Sequence, residues 1–123
     1  MDRKQLERLI LEQYGIKPDH PWMKDPDSEV FRHSDNQKWF ALIMDIPENK
    51  LGLSGSRMVS IVNLKCDPVL IGMLREENGF FPAYHMNKEN WITAALDGSA
   101  ADEKIRMLLN MSYRMTANKK QRD

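Results

Sequence analysis

Cysteine is nearly absent from this sequence, which has Cys66 as its single copy among 123 residues. One cysteine cannot form an intramolecular disulfide, so a small secreted disulfide scaffold is excluded. No apolar run is close to the length of a membrane span, which is about 18 residues, and the N-terminus lacks the apolar core of a signal peptide. We therefore expect a cytoplasmic protein that does not contact membranes.

Net charge is also absent, because 18 Lys and Arg residues balance 18 Asp and Glu residues. A protein without bulk positive charge binds nucleic acid only through local clusters. Residues 104–123 form such a cluster, with the single acid Asp123 against Lys104, Arg106, Arg114, Lys119, Lys120 and Arg122. A basic end of this kind is typical of a solvated helix terminus and tail, and a nucleic-acid contact is the alternative.

The chain length predicts one domain with one core, since globular domains commonly run to about 100–150 residues. No internal repeat or long linker divides the sequence. We expect a single domain over residues 1–118, followed by a short basic tail at residues 119–123. We also expect a monomer.

Apolar periodicity predicts a helix over residues 2–14, ended by Gly15, and a second helix that begins at Asp67 and Pro68. Ser99 and Asp102 are spaced as a capping box that opens a last helix. Strands are predicted from Val30, over 39–46 and 57–64, and over 80–84 and 91–96. The order predicts an α+β fold in which helices pack on one face of an antiparallel sheet of about five strands.

Candidate catalytic groups are sparse. Cys66 precedes a predicted helix, where a thiol pKa can be lowered, but a nucleophile also needs a base such as His33 or His85 nearby. An ordinary small residue at a strand-to-helix junction is the simpler interpretation. The three histidines lack metal-ligand spacing, and no phosphate-binding glycine loop is present. We predict no enzyme activity, no metal and no cofactor.

The methionine and tryptophan residues could form part of the core or line a binding surface. Met44, Met58, Met73, Met107 and Met111 fall in predicted strands or helices, where several are plausible core residues; a Met-lined binding surface is the alternative. Trp22 and Trp39 are expected to be large core or loop-anchoring residues.

The densest polar and aromatic cluster is residues 82–91, PAYHMNKENW. His85, Asn87 and Lys88 beside Tyr84 and Trp91 supply a cation for phosphate, an amide for a base edge and rings for stacking. The structural alternative is a hairpin in which Asn87 forms the turn and both rings pack inward.

Residues 82–88 (PAYHMNK), Trp91 and residues 96–98 (LDG) resemble the signature of the MmcQ/YjbR family. Residues 64–68 (LKCDP) resemble the strand-to-helix junction of that family, and the resemblance extends from about residue 5 to residue 115. Two departures are Asn90, where family members often have His, and the absence of Pro between Tyr14 and Gly15.

The resemblance implies a CyaY-like fold and a DNA-binding function, since family members are usually described as predicted DNA-binding proteins. The expected DNA contacts are Arg57, Lys65, His85, Asn87, Lys88, Arg114, Lys119 and Lys120. The alternative is a protein-interaction or adaptor module that binds an unidentified protein and no nucleic acid.

Overall fold

Three helices and five strands form the fold over residues 1–118, the part of the chain that the computed structural model describes. In chain order they are α1 (Arg3–Tyr14), β1 (Glu29–Arg32), β2 (Trp39–Pro47), β3 (Met58–Lys65), α2 (Pro68–Leu74), β4 (Phe80–Pro82), β5 (Trp91–Ala95) and α3 (Asp102–Thr116). The predicted α+β class is confirmed, while the CyaY-like label stays a prediction. Lys119 and Lys120 lie outside the described residues.

The sheet is antiparallel throughout, with strand order β1-β2-β3-β5-β4. Its register places Ala41 opposite Leu64, which in turn lies opposite Ile92. One residue along, Leu42 lies opposite Asn63, and Asn63 opposite Thr93. Because side chains alternate along a strand, these two rows belong to opposite faces.

The face that includes Ala41, Leu64 and Ile92, which we call the helix face, carries the main core. Side chains from all three helices join it in one buried cluster, including Leu6, Ile10, Ile71, Leu74, Ile105, Leu108 and Leu109. The prediction that the helices pack on one face is therefore confirmed. Within residues 1–118, no helix is long and apolar enough to cross a membrane.

Helix ends follow local capping chemistry. Asp2 and Gln5 form a capping box at the start of α1, and Gly15 ends that helix in the left-handed region at φ 67°. Asp67 accepts a 2.9 Å hydrogen bond from the Val69 N–H, as predicted. The predicted capping box of Ser99 and Asp102 is wrong, because the Ser99 hydroxyl instead donates to Asp97.

The face that includes Leu42, Asn63 and Thr93, which we call the loop face, is buried without a helix over it. Two loops contribute its cover: the α1–β1 loop (residues 15–28) and the β4–β5 loop (residues 83–90). Asp19 and Val30 exchange two backbone hydrogen bonds of 2.9 Å, which closes the free edge of β1.

Several predicted core methionines are exposed. The exposed fractions are 63% for Met58, 66% for Met73 and 47% for Met107, so the core prediction is wrong for these three. Met58 begins β3, while Met73 and Met107 occupy outward positions of α2 and α3, whose inward positions hold branched aliphatic side chains.

Candidate functional site

Tyr84 is held over the loop face by two buried polar side chains. Its N–H donates to Thr93 Oγ1 at 2.9 Å, and its carbonyl accepts from Asn63 Nδ2 at 3.0 Å. The Thr93 hydroxyl in turn donates to Asn63 Oδ1, which closes a ring of three hydrogen bonds. The Tyr84 N–H and carbonyl thus bond to side chains and not to the backbone of a neighbouring strand. For this reason β4 ends at Pro82 and not at the predicted Tyr84.

His85 continues this arrangement. Its ring stacks on that of Tyr84 with centroids 4.0 Å apart and planes 12° apart. Its backbone φ is 59°, in the left-handed region that non-glycine residues seldom occupy. The chain bends at residues 84–86, and the two stacked rings form one wall beside β2.

A groove of about 650 Å³ lies between this wall and the α1–β1 loop. Its floor is formed by alternate residues of β2, namely Leu42, Met44 and Ile46. The opposite wall contains Trp22, whose ring meets that of Trp39 edge-on with centroids 5.9 Å apart. We call this the aromatic groove, and its complete lining is Trp22, Lys24, Asp25, Trp39, Leu42, Met44, Asp45, Ile46, Pro47, Tyr84, His85 and Met86.

The lining carries two acids, Asp25 and Asp45, and one base, Lys24. Lys24 and Asp25 are adjacent and opposite in sign, and the Asp25 carboxylate accepts a hydrogen bond from Ser28. The Asp45 carboxylate pairs with the Arg3 guanidinium at 2.9 Å. An apolar floor whose surroundings carry no excess of cations favours an uncharged apolar ligand over a polyanion.

Two of the predicted DNA contacts in the β4–β5 loop, Lys88 and Asn87, form hydrogen bonds within the loop itself. Lys88 Nζ donates to the Ala83 carbonyl at 2.9 Å, within its own loop. Asn87 Oδ1 accepts from the Glu89 N–H at 2.8 Å, which is the turn role of the structural alternative. His85, Asn87 and Lys88 are all exposed.

The remaining predicted contacts are spread over the fold. Arg57 precedes β3 and Lys65 ends it, so the extended strand separates their backbones by roughly 26 Å. Lys65 lies opposite Trp91, where β5 leaves the β4–β5 loop. Arg114 is exposed in the last turn of α3, in the layer on the helix face. His85, Asn87 and Lys88 thus share the β4–β5 loop and Lys65 lies near its end, whereas Arg57 and Arg114 lie elsewhere in the fold.

Sequence reasoning missed Asn63, Thr93 and Arg75. Arg75 donates from Nη2 to the Lys88 carbonyl at 3.0 Å and so adds a cation beside the β4–β5 loop. Asn63 and Thr93 are 0% exposed, and each is flanked by apolar residues of its strand. A polar side chain within a run of apolar strand residues needs hydrogen-bond partners. This pattern is the signal in the sequence by which Asn63 and Thr93 could have been singled out.

Cys66 and His33, two of the candidate catalytic residues, lie in buried surroundings that suit a structural role. Cys66 is buried, and this burial raises the pKa of its thiol to about 11, with the nearby Asp67 adding to the rise. The His33 ring is buried 2.8 Å from the Thr116 hydroxyl. Residues 1–118 contain no group of three or more His, Cys, Asp or Glu side chains arranged to hold a metal ion.

Comparison with known proteins identifies the family, because the YjbR family model matches residues 11–115. The chain belongs to the YjbR family. Its relatives include the uncharacterized protein YyaQ of Bacillus subtilis, which is 38% identical over 116 residues, covering 94% of this chain and 98% of YyaQ. The uncharacterized Escherichia coli K12 protein YjbR is 40% identical over 58 residues, covering 46% of this chain and 49% of YjbR.

Solved structures share the fold of this YjbR-family chain. A Pseudomonas syringae protein, solved by crystallography, is 49% identical, with a TM-score of 0.93, and the match covers 95% of this chain and all of that chain. A Deinococcus radiodurans protein, 24% identical with a TM-score of 0.71, shares the fold over 97% of this chain and 80% of its own.

Proposed function

We propose that this YjbR-family domain is a non-enzymatic protein-interaction module whose aromatic groove binds an apolar segment of a protein partner. The observation that carries the proposal is the groove itself, which joins an apolar floor to aromatic side chains on both walls. Aromatic side chains and methionine are enriched in protein interfaces, and Met44 and Met86 lie in this lining.

The chemistry of Cys66 supports a binding role over a catalytic one. A thiol with a pKa of about 11 stays protonated at neutral pH, and thiolate is the nucleophilic form. The groove lining holds one cation, Lys24, against two acids, which likewise favours an apolar segment, since phosphate recognition draws on clustered cations.

A displayed library of random peptides tests the proposal. We expect the protein to select apolar peptides and Met44→Glu, which places a charge on the groove floor, to abolish their binding. Met107→Glu is the matched control, because Met107 is an exposed methionine on α3, away from the groove. Selected peptides that bind Met44→Glu as tightly as the wild type would refute the groove as the site.

DNA binding at the β4–β5 loop is the second candidate function. Lys65, Arg75 and Lys88 lie at or beside this loop, which also carries the exposed His85. Cations and stacking rings are the groups that position phosphates and unpaired bases. This candidate follows the function that the family resemblance implies.

Titration of labelled duplex and single-stranded DNA at several salt concentrations tests this second candidate. Contact of three cations with phosphate predicts a log–log slope of about −3 for the duplex and about −2 for a single strand. Lys65→Glu should weaken binding, whereas Lys50→Glu, at the far end of β2 and β3, should not. Absence of binding at low salt would exclude this candidate.

A further inference from the structure

We infer that the aromatic groove is a preformed receptor for one aromatic side chain of the partner segment. This inference rests on the proposed function and names the chemistry of the anchor that the groove takes. The occupant is a tryptophan, tyrosine or phenylalanine side chain in an otherwise uncharged peptide.

The arrangement of the rings supports an aromatic anchor. The Tyr84 and His85 rings stack in parallel, whereas Trp22 and Trp39 meet edge-on at 87°. The lining therefore offers both ring faces and ring edges, and aromatic pairs favour offset-stacked and edge-to-face contacts. Met44 and Met86 add thioether groups, which also contact aromatic rings favourably.

The wall is fixed before any ligand arrives. The closed ring of hydrogen bonds among Tyr84, Thr93 and Asn63 holds both backbone polar groups of Tyr84. Asn63 and Thr93 are fully buried, so water cannot compete for these bonds. A wall held in this way loses little conformational entropy on binding, which is the advantage of preorganisation.

The charged side chains of the groove lining also favour an uncharged aromatic side chain as the occupant. The groove presents Lys24 and Asp25 side by side and an Asp45 that is paired with Arg3. A nucleotide or a strongly acidic segment would find no net positive field there, whereas an uncharged aromatic side chain would keep every ion pair intact.

Two small probes test the inference by NMR: N-acetyl-tryptophanamide and N-acetyl-leucinamide. We expect saturable shifts at the amides of residues 42–46 and 84–86, with the tryptophan probe binding about 2- to 10-fold more tightly than the leucine probe. Tyr84→Leu should abolish that preference, while Tyr84→Phe, which keeps the ring, should retain it.

Equal binding of the two probes would overturn the aromatic anchor and leave the proposed apolar groove intact. A preference unchanged in Tyr84→Leu would also overturn the anchor. If neither probe shifts residues 42–46 and the peptide library yields no groove-dependent peptide, the proposed function fails as well. A tryptophan preference that Tyr84→Phe keeps and Tyr84→Leu loses supports the inference.

Discussion

Asn63 and Thr93 lie directly opposite each other on β3 and β5, and the Thr93 hydroxyl donates to Asn63 Oδ1. Between them they hydrogen-bond both backbone polar groups of Tyr84. The two side chains are completely buried on the loop face, beside apolar residues such as Leu42 and Ile61. Their cost of desolvation is offset only while all three bonds are made.

Thr93→Val should therefore destabilise the fold by about 1–3 kcal/mol, because the isosteric side chain leaves Tyr84 N–H and Asn63 Oδ1 without partners. We also expect faster hydrogen exchange at the Tyr84 amide. Thr93→Ser keeps the hydroxyl and should retain most of the Tyr84 protection. Urea unfolding and amide exchange measure the two effects, and unchanged protection in Thr93→Val would contradict them.

Arg3 joins α1 to the sheet through the carboxylates of Glu29 and Asp45, and it also pairs with Glu7 on its own helix. Its guanidinium contacts Glu29 and Asp45 at 2.9 Å each and Glu7 at 3.3 Å. Arg3→Met should cost about 2–3 kcal/mol, less than the loss of a fully buried pair, because the Asp45 side chain is 42% exposed.

Urea unfolding of Arg3→Met against Arg8→Met checks this expectation. Arg8 is exposed on the same helix, so its replacement should change the free energy of unfolding by no more than about 0.5 kcal/mol. Equal effects of the two substitutions would show that the Arg3 ion pairs add nothing specific.

Glu29 should make stability depend on pH. Burial raises the pKa of Glu29 from 4.5 to about 7, with Glu7 adding to the rise and Arg3 offsetting part of it. A carboxyl whose pKa is raised on folding stabilises fully below about pH 4.5, and this contribution is lost as pH rises to about 7.

Glu29→Gln removes that titration. The free energy of unfolding of the wild type, minus that of the variant, should fall by up to about 1.4 kcal/mol per pH unit over this window and then level off. Urea titrations at several pH values give the difference directly. A difference that is flat from pH 4.5 to pH 7 would show that Glu29 titrates normally.

Cys66 should react slowly in the folded protein. A pKa of about 11 instead of 9.0 lowers the thiolate fraction about 100-fold at neutral pH, and burial restricts access further. The rate of reaction with dithiobis(nitrobenzoate), compared with the rate in concentrated urea, measures this protection. A reaction rate in the folded protein within tenfold of the rate in urea would show that Cys66 is a reactive group.

Local signals made most of the fold predictable from the sequence. Gly15 and the Asp67–Pro68 pair end and begin helices through their own backbone preferences, and both were placed correctly. The apolar run of β2 predicted a central strand, and Phe40 to Ile43 are buried on both faces.

Features that depend on distant contacts were missed. The end of β4 is decided by Asn63, 21 residues before Tyr84 in the sequence. The contact between Trp22 and Trp39 likewise requires the folded sheet. At Ser99, the spacing suited a capping box, but the nearby Asp97 competed for the hydroxyl.

The unequal cover of the two sheet faces gives the molecule a gradient of local stability. The helix layer shares the large buried cluster with the sheet, whereas the loop face is covered in part by residues 15–28 and 83–90, which contain no helix or long strand. Segments with fewer buried contacts open at lower free energy than the global transition. We expect limited proteolysis to cut first in the α1–β1 loop, exposing β2 while the helix layer is still folded.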